Sequence, residues 1–185
     1  MGEALSQAHQ ASSQGEVPVG AVVVLDGVIV GRGFNSMIRG HDPSAHAEIQ
    51  AIRQAAASVG NYRLNGAEVF VTLEPCSMCA GAMVHARIAR LVFGTREPKA
   101  GVVASNARFF EQLFLNHQIE VSEGIQEQAC SDLLTAFFST RRKSGASISV
   151  RTNGRSWMMN QTLLHRLITW LSLPAFVRQP SSILP

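Results

Sequence analysis

Two short stretches of this 185-residue chain bring together residue types that do chemistry. One is His46-Ala47-Glu48; the other is Pro75-Cys76-Ser77-Met78-Cys79. Cys76 and Cys79 stand three residues apart, so on a helix they share a face. A helix N-terminus also favours thiolates, because its free N–H groups and dipole stabilise negative charge. Two thiolates and the His46 imidazole make three protein ligands for one tetrahedral zinc ion per subunit. The fourth position stays open to water, which is the catalytic rather than the structural pattern. Zinc lowers the pKa of such a water toward ~7. Glu48, not itself a ligand, is then the group that accepts the water's proton and delivers it to a ring nitrogen, and that afterwards helps protonate a departing amine. Hydrolysis of an exocyclic amine needs all four residues.

That reading makes a geometric demand. Residues two apart on a regular helix point roughly 200° away from each other. His46 and Glu48 can face one ion only if His46 sits at the irregular start of its helix. A lone C-x-x-C fits a redox motif or a closed zinc site equally well, and H-x-E alone means little. The two together, each at a helix start after a strand, are specific. A closed structural site needs a fourth ligand, for which His41 and His85 are the candidates, and neither has a companion at ligand spacing. A zinc-binding interaction module without chemistry is a further class, and the carboxylate of Glu48 argues against it.

The elements that position these residues read from periodicity. Residues 2–14 carry Ala4, Leu5, Ala8 and Ala11 at helical spacing and end at Gly15. Residues 17–25 form a β-branched strand, Asp26-Gly27 a hairpin turn, and residues 28–34 the returning strand. After a polar loop over 35–42, the pattern predicts a helix from Asp42-Pro43 or Ser44 to about Ser58, with Pro43 in its first turn. A third strand is expected over 67–72, a helix from Pro75 to about Ala86, and a fourth strand over 91–94. Beyond the loop at 95–106, residues 109–115 suit a helix and 119–121 a fifth strand. A last helix spans 125–143, with Ile125, Ala129, Leu133, Ala136 and Phe137 on one face. Cys130 lies on its apolar side and reads as a buried, inert thiol. The order is that of an α/β sandwich with a mixed sheet flanked by helices.

Charge divides the chain. All 13 acidic residues lie at or before Asp132, where nine basic residues leave a net charge of −4. Seven basic residues and no acid follow, so the C-terminal end attracts a polyanion. Composition shifts at Lys143, which divides a domain over 1–143 from a basic extension over 144–185 whose first part reads as a linker. Three cysteines make no disulfide framework. The start MGEALSQAHQ has no apolar h-region, and no stretch reaches the ~18 apolar residues of a membrane span, so a cytoplasmic protein without membrane association is expected.

H-x-E followed by P-C-x-x-C is the known signature of zinc nucleobase deaminases, so the mechanism above is applied from that class. The match extends further. Gly15-Glu16-Val17-Pro18-Val19-Gly20-Ala21-Val22, His41-Asp42-Pro43-Ser44-Ala45-His46-Ala47-Glu48, Asn61-Tyr62-Arg63-Leu64 and Val71-Thr72-Leu73-Glu74-Pro75-Cys76-Ser77-Met78-Cys79-Ala80-Gly81-Ala82 resemble the bacterial tRNA-specific adenosine deaminases, a branch of the cytidine/deoxycytidylate deaminase superfamily. The similarity runs from about Met1 to Lys143. It implies a cytidine-deaminase-like three-layer sandwich with a mixed five-stranded sheet, a homodimer, and conversion of the wobble adenosine of an arginine tRNA anticodon to inosine. It implies His46, Cys76 and Cys79 as zinc ligands and Glu48 as proton shuttle. Asn35, Val17 and Ala47 become substrate contacts; Asn35 suits a flipped nucleoside because an amide donates and accepts at once. Phe138, Arg141 and Arg142 become an RNA surface at the end of the last helix. Under the same resemblance Glu74 is structural, and the loop after Lys99 borders the nucleic-acid channel. A deaminase of free guanine, cytosine or a nucleotide would share all four catalytic residues and is the alternative.

Overall fold

Ala4, Ala8 and Ala11 are fully buried along one side of helix α1 (Gly2–Ser13). Their small side chains let the helix lie almost on the backbone of the first strand. A Cβ at Gly20 would overlap main-chain atoms of Ala4 and Ala8. The computed structural model describes residues 1–143. The linker and basic extension expected over 144–185 lie outside the described residues.

The hairpin forms as its sequence predicts: β1 (Gly20–Leu25) and β2 (Val28–Phe34) are antiparallel, joined by Asp26 and Gly27, both with positive φ. Such a turn matches the twist of the strands it joins. β1 also pairs antiparallel with β3 (Glu68–Leu73). β3 runs parallel to β4 (Arg90–Thr95), and β4 runs parallel to β5 (Glu120–Glu123). The sheet is mixed and five-stranded, in the order β2-β1-β3-β4-β5.

Helices cover both faces. α1 and α5 (Glu127–Lys143) pack on one, with Cys130 of α5 seated where a side chain on Gly94 would be. α3 (Ala47–Val59) packs on the other against β2 and β1, with α4 (Ser77–His85) beside it. Ala21, Val23, Val69, Val71, Leu91 and Phe93 fill the core between the sheet and this second layer. α3 comes exceptionally close to β2: a Cβ on Gly31 or Gly33 would overlap the carbonyls of Ala51 or Ala47. Ala47, Ala51 and Ala55 provide the matching small face.

Several boundaries differ from the sequence pattern, each for a physical reason. β1 begins at Gly20 rather than Val17. Pro18 brings no N–H, and the Val19 N–H turns back onto the Val17 carbonyl at 2.8 Å. The polar loop after β2 contains a short helix, α2 (Met37–Gly40). Its Ile38 and Arg39 amides donate to the fully buried Glu16 carboxylate at 3.2 and 2.8 Å, a tertiary contact that no local pattern reveals. Pro43 does not open α3. Asp42 accepts from the Ser44 N–H at 2.8 Å and forms a turn of its own, so the helix starts at Ala47. Residues 109–115 give only a 3₁₀ turn, Phe109–Glu111. α5 starts at Glu127, two residues after Ile125. Ile125, Ala129 and Ala136 are exposed, and the inward side carries Cys130, Leu134 and the half-buried Phe137.

The strand directions decide where a site can form. β2, β3 and β4 all run the same way, and β1 runs against them. The ends of β2 and β3, the start of β1 and the segments that follow therefore gather at one edge of the sheet, the place where open α/β sheets bind ligands.

Candidate active site

His46 is the residue immediately before α3, with extended backbone (φ −74°, ψ 153°). Cys76 stands in the same relation to α4 (φ −79°, ψ 174°). The demand set by the two-residue spacing of His46 and Glu48 is met in this way. His46 leaves the chain before helical geometry begins, and Glu48 follows inside the first turn. Cys79 lies one turn into α4, below Cys76, as the three-residue spacing requires.

The three ligand atoms converge. His46 Nδ1 lies 3.7 Å from Cys76 Sγ and 3.6 Å from Cys79 Sγ. Zinc bonds of about 2.3 Å to sulfur and about 2.0 Å to nitrogen, at tetrahedral angles, place such donors roughly 3.6–3.8 Å apart. The side chains fit the ion without rearrangement. Among the described residues the group comprises His46, Cys76 and Cys79, and neither His41 nor His85 joins it.

The electrostatics have the character of a site built for a cation. The Cys76 thiol is pulled down to about 3 by a hydrogen bond from Cys79 and by His46. The Cys79 thiol is pushed up by the Cys76 beside it and by burial. The His46 imidazole is raised by its bond to Cys76. A divalent ion held here would compensate the charge of two adjacent, partly buried sulfurs.

Glu48 is 4% exposed, and burial pushes its carboxyl above the ordinary range. Its neighbours are its own amide, His46 and the two cysteines. A carboxyl poised upward beside a metal position is suited to exchanging protons near neutral pH.

Asn35 is buried at the end of β2, and its Oδ1 accepts the Ala47 N–H at 2.9 Å. That N–H belongs to the first residue of α3, where no intrahelical acceptor exists. Asn35 thus ties the strand end to the residue between His46 and Glu48, leaving its amino group as the donor open to a ligand. Ala47 itself is fully buried against the sheet. Val17 is partly buried and packs against the core ahead of β1. Phe138, Arg141 and Arg142 lie on the last turns of α5. Phe138 and Arg142 are exposed, while Arg141 donates to the Gly15 carbonyl and stacks on Phe137 at 4.7 Å.

Residues 1–95 match the model of the cytidine and deoxycytidylate deaminase zinc-binding region, a stretch that contains all four chemical residues. A tRNA-specific adenosine deaminase of Haemophilus influenzae is 48% identical over 141 residues, 76% of this chain and 82% of the relative. The chain belongs to the tRNA-specific adenosine deaminase family. A solved structure from studies of A-to-I editing by tRNA:A34 deaminases superposes on this deaminase with a TM-score of 0.69. It is 46% identical and covers 71% of this chain and 95% of its own. Guanine deaminase from Nitrosomonas europaea shares the fold, with a TM-score of 0.66 at 23% identity over 75% of this chain and 82% of its own. The deaminase is a zinc-dependent hydrolase with the cytidine-deaminase-like fold.

Two features of the deaminase site escaped the sequence pattern: the Glu16 carboxylate under α2, and the depth to which Gly33 lets α3 settle. The one available signal was a charged residue inside an otherwise apolar stretch, as at Glu16 and Glu74.

Proposed function

We propose that this chain deaminates adenosine to inosine at the wobble position of a tRNA anticodon. The observation that carries the reading is the convergence of His46 Nδ1, Cys76 Sγ and Cys79 Sγ at tetrahedral spacing, with the buried Glu48 at their side, in a chain nearly half identical to a tRNA-specific adenosine deaminase.

When bound, zinc supplies a water acidified toward ~7 and so usable as a nucleophile at neutral pH. His46, Cys76 and Cys79 would hold the ion. Glu48 takes one proton from the attacking water and delivers it to the purine ring nitrogen; it then takes the second from the hydroxyl now on carbon and gives it to the amine as ammonia leaves. Asn35 donates from its amino group to the flipped nucleoside, and Val17 bounds the pocket, with the buried Ala47 behind it. An anticodon loop suits such a site because its bases are already unpaired.

We assign the tRNA stem to Phe138, Arg141 and Arg142, supported by their place at the end of α5, and to the basic segment over 144–185, supported by its lack of any acid. That division, a deaminase domain over 1–143 followed by a separate extension, rests on the shift in composition. The family's homodimer, an arginine tRNA as substrate and a cytoplasmic, membrane-free location complete the reading. Among the described residues no helix is long and apolar enough to cross a membrane.

The deciding assay offers purified protein an anticodon stem-loop, free adenosine, guanine and cytidine side by side, and measures ammonia release. Turnover of the stem-loop alone supports the proposal. Turnover of guanine or cytidine in its place moves the chain to the free-base or nucleoside deaminases. Stripping the metal with a chelator abolishes turnover, and adding zinc back restores it.

A further inference from the structure

Glu74 is buried, is charged and takes no part in the proton transfers. Only 3% of it is exposed, yet it stands at the end of β3, two residues before the metal ligand Cys76. Every acceptor position on its carboxylate is taken by the loop that follows β4. Oε1 accepts the N–H groups of Val103, Ala104 and Ser105 at 3.0, 2.8 and 2.9 Å. Oε2 accepts the Glu97 N–H at 3.0 Å and the Ser105 hydroxyl. A carboxylate offers about four lone-pair sites, so five donors saturate it.

The loop needs this arrangement. It has no helix or strand between β4 and the 3₁₀ turn to satisfy its amides. Gly101 closes over the carboxyl group, and a Cβ there would overlap it. The Val102 N–H donates to the Pro75 carbonyl at 3.1 Å, so the wrapped loop touches the residue joined to Cys76. Because β4 runs parallel to β3, the loop leaves the sheet at the same edge as the metal ligands, with Lys99 exposed on it.

We propose that Glu74 is a positioning residue for the reaction. Its carboxylate holds the loop over residues 97–105 against the Cys76 side of the metal site, and this sets the surface that an RNA substrate meets on the way in. The proposal rests on the reading of the chain as a tRNA deaminase. It assigns Glu74 to substrate binding through the loop, with no part in metal binding or in the chemical step.

The test uses the full-length protein and the variants Glu74→Gln, Ser105→Ala and Gly101→Ala. Glutamine keeps the size but turns an amino group toward donors that need an acceptor. Three quantities are measured: zinc per chain, hydrogen exchange at the Val103, Ala104 and Ser105 amides, and KM and kcat on an anticodon stem-loop. For Glu74→Gln the expected result is wild-type zinc content and at least about tenfold faster exchange at the three amides. KM should rise about fivefold or more, with kcat within about twofold. Ser105→Ala, which removes one donor, moves exchange and KM the same way by less. A merely structural role would lower the active fraction and leave KM alone, and that result, or unchanged exchange, overturns the proposal. If Glu74→Gln does not fold, an unchanged KM in both other variants overturns it. Wild-type protein that ignores the stem-loop counts against the tRNA reading; the exchange rates then decide the clamp by themselves.

Discussion

Glu48 and Glu74 are both buried glutamates beside the metal ligands, and their surroundings drive them in opposite directions. Burial pushes the Glu48 carboxyl up, and its own amide, His46 and Cys79 only partly offset it. Burial pushes Glu74 up as well, but the hydrogen bonds from Ser105, Ala104 and Glu97 outweigh it and hold the group below the ordinary carboxylate range. The difference is one of main-chain donors. At the start of α3 the neighbours are its own amide, a ligand imidazole and two sulfurs, too few donors to offset burial. At the end of β3 a loop without regular structure has spent its amides on the carboxylate. A buried carboxylate becomes a base or a clamp according to how many backbone N–H groups have claimed it.

The comparison breaks most sharply at Glu48. Glu48→Ala should keep its zinc and lose turnover by about 10²-fold to 10⁴-fold or more, measured as inosine formed with metal content checked in parallel. A variant that deaminates normally would remove the proton shuttle from the mechanism. Next comes the depth at which α3 sits. Gly33→Ala drives a methyl group into the Ala47 carbonyl, between His46 and Glu48. It should lower stability by about 1–3 kcal/mol and reduce zinc affinity along with activity, read from thermal unfolding and metal titration. Unchanged zinc affinity would show that the helix start tolerates displacement.

Acid tests the clamp. Glu74 is depressed below its unfolded value of 4.5, so its stabilisation is fully present above that pH. It is lost as pH falls through the lower folded value. Wild-type protein should therefore weaken as pH falls below about 5 toward the lower folded value, while Glu74→Gln, less stable at pH 7, shows a flatter acid limb in urea midpoints. Parallel limbs would mean that the carboxylate is not held as a charge. The smallest effect belongs to the far end of α5. Arg142→Ala should weaken stem-loop binding uniformly and reduce its salt slope by about 1. An unchanged slope would move the RNA surface away from this helix.

Much of this molecule was legible in one dimension. The alanine spacing of α1, the Asp26-Gly27 hairpin, the order of the strands and the zinc ligand set follow from local periodicity and from residue chemistry at fixed separations. The errors fall where a single side chain, near or distant, overrides the preference read from the pattern. Pro43 looks like a helix start, but the Asp42 side chain closes a separate turn there. Residues 37–40 look like loop, and Glu16 from ahead of β1 makes them helical. On α5 the buried Cys130 is as expected, seated in the gap left at Gly94, and Ile125, Ala129 and Ala136 turn outward instead of joining it.

Sequence by itself determined which atoms can bind a metal and which carboxylate can carry a proton, because donor type and spacing along a helix are local properties. Tertiary structure alone decided how those atoms meet. Parallel strands bring residues 46 and 76 to one edge, glycines in β2 set the depth of α3, and backbone amides remote in the chain make one buried glutamate a clamp and leave the other free to act. Such contacts depend on where the chain returns in space, which no short window of residues encodes.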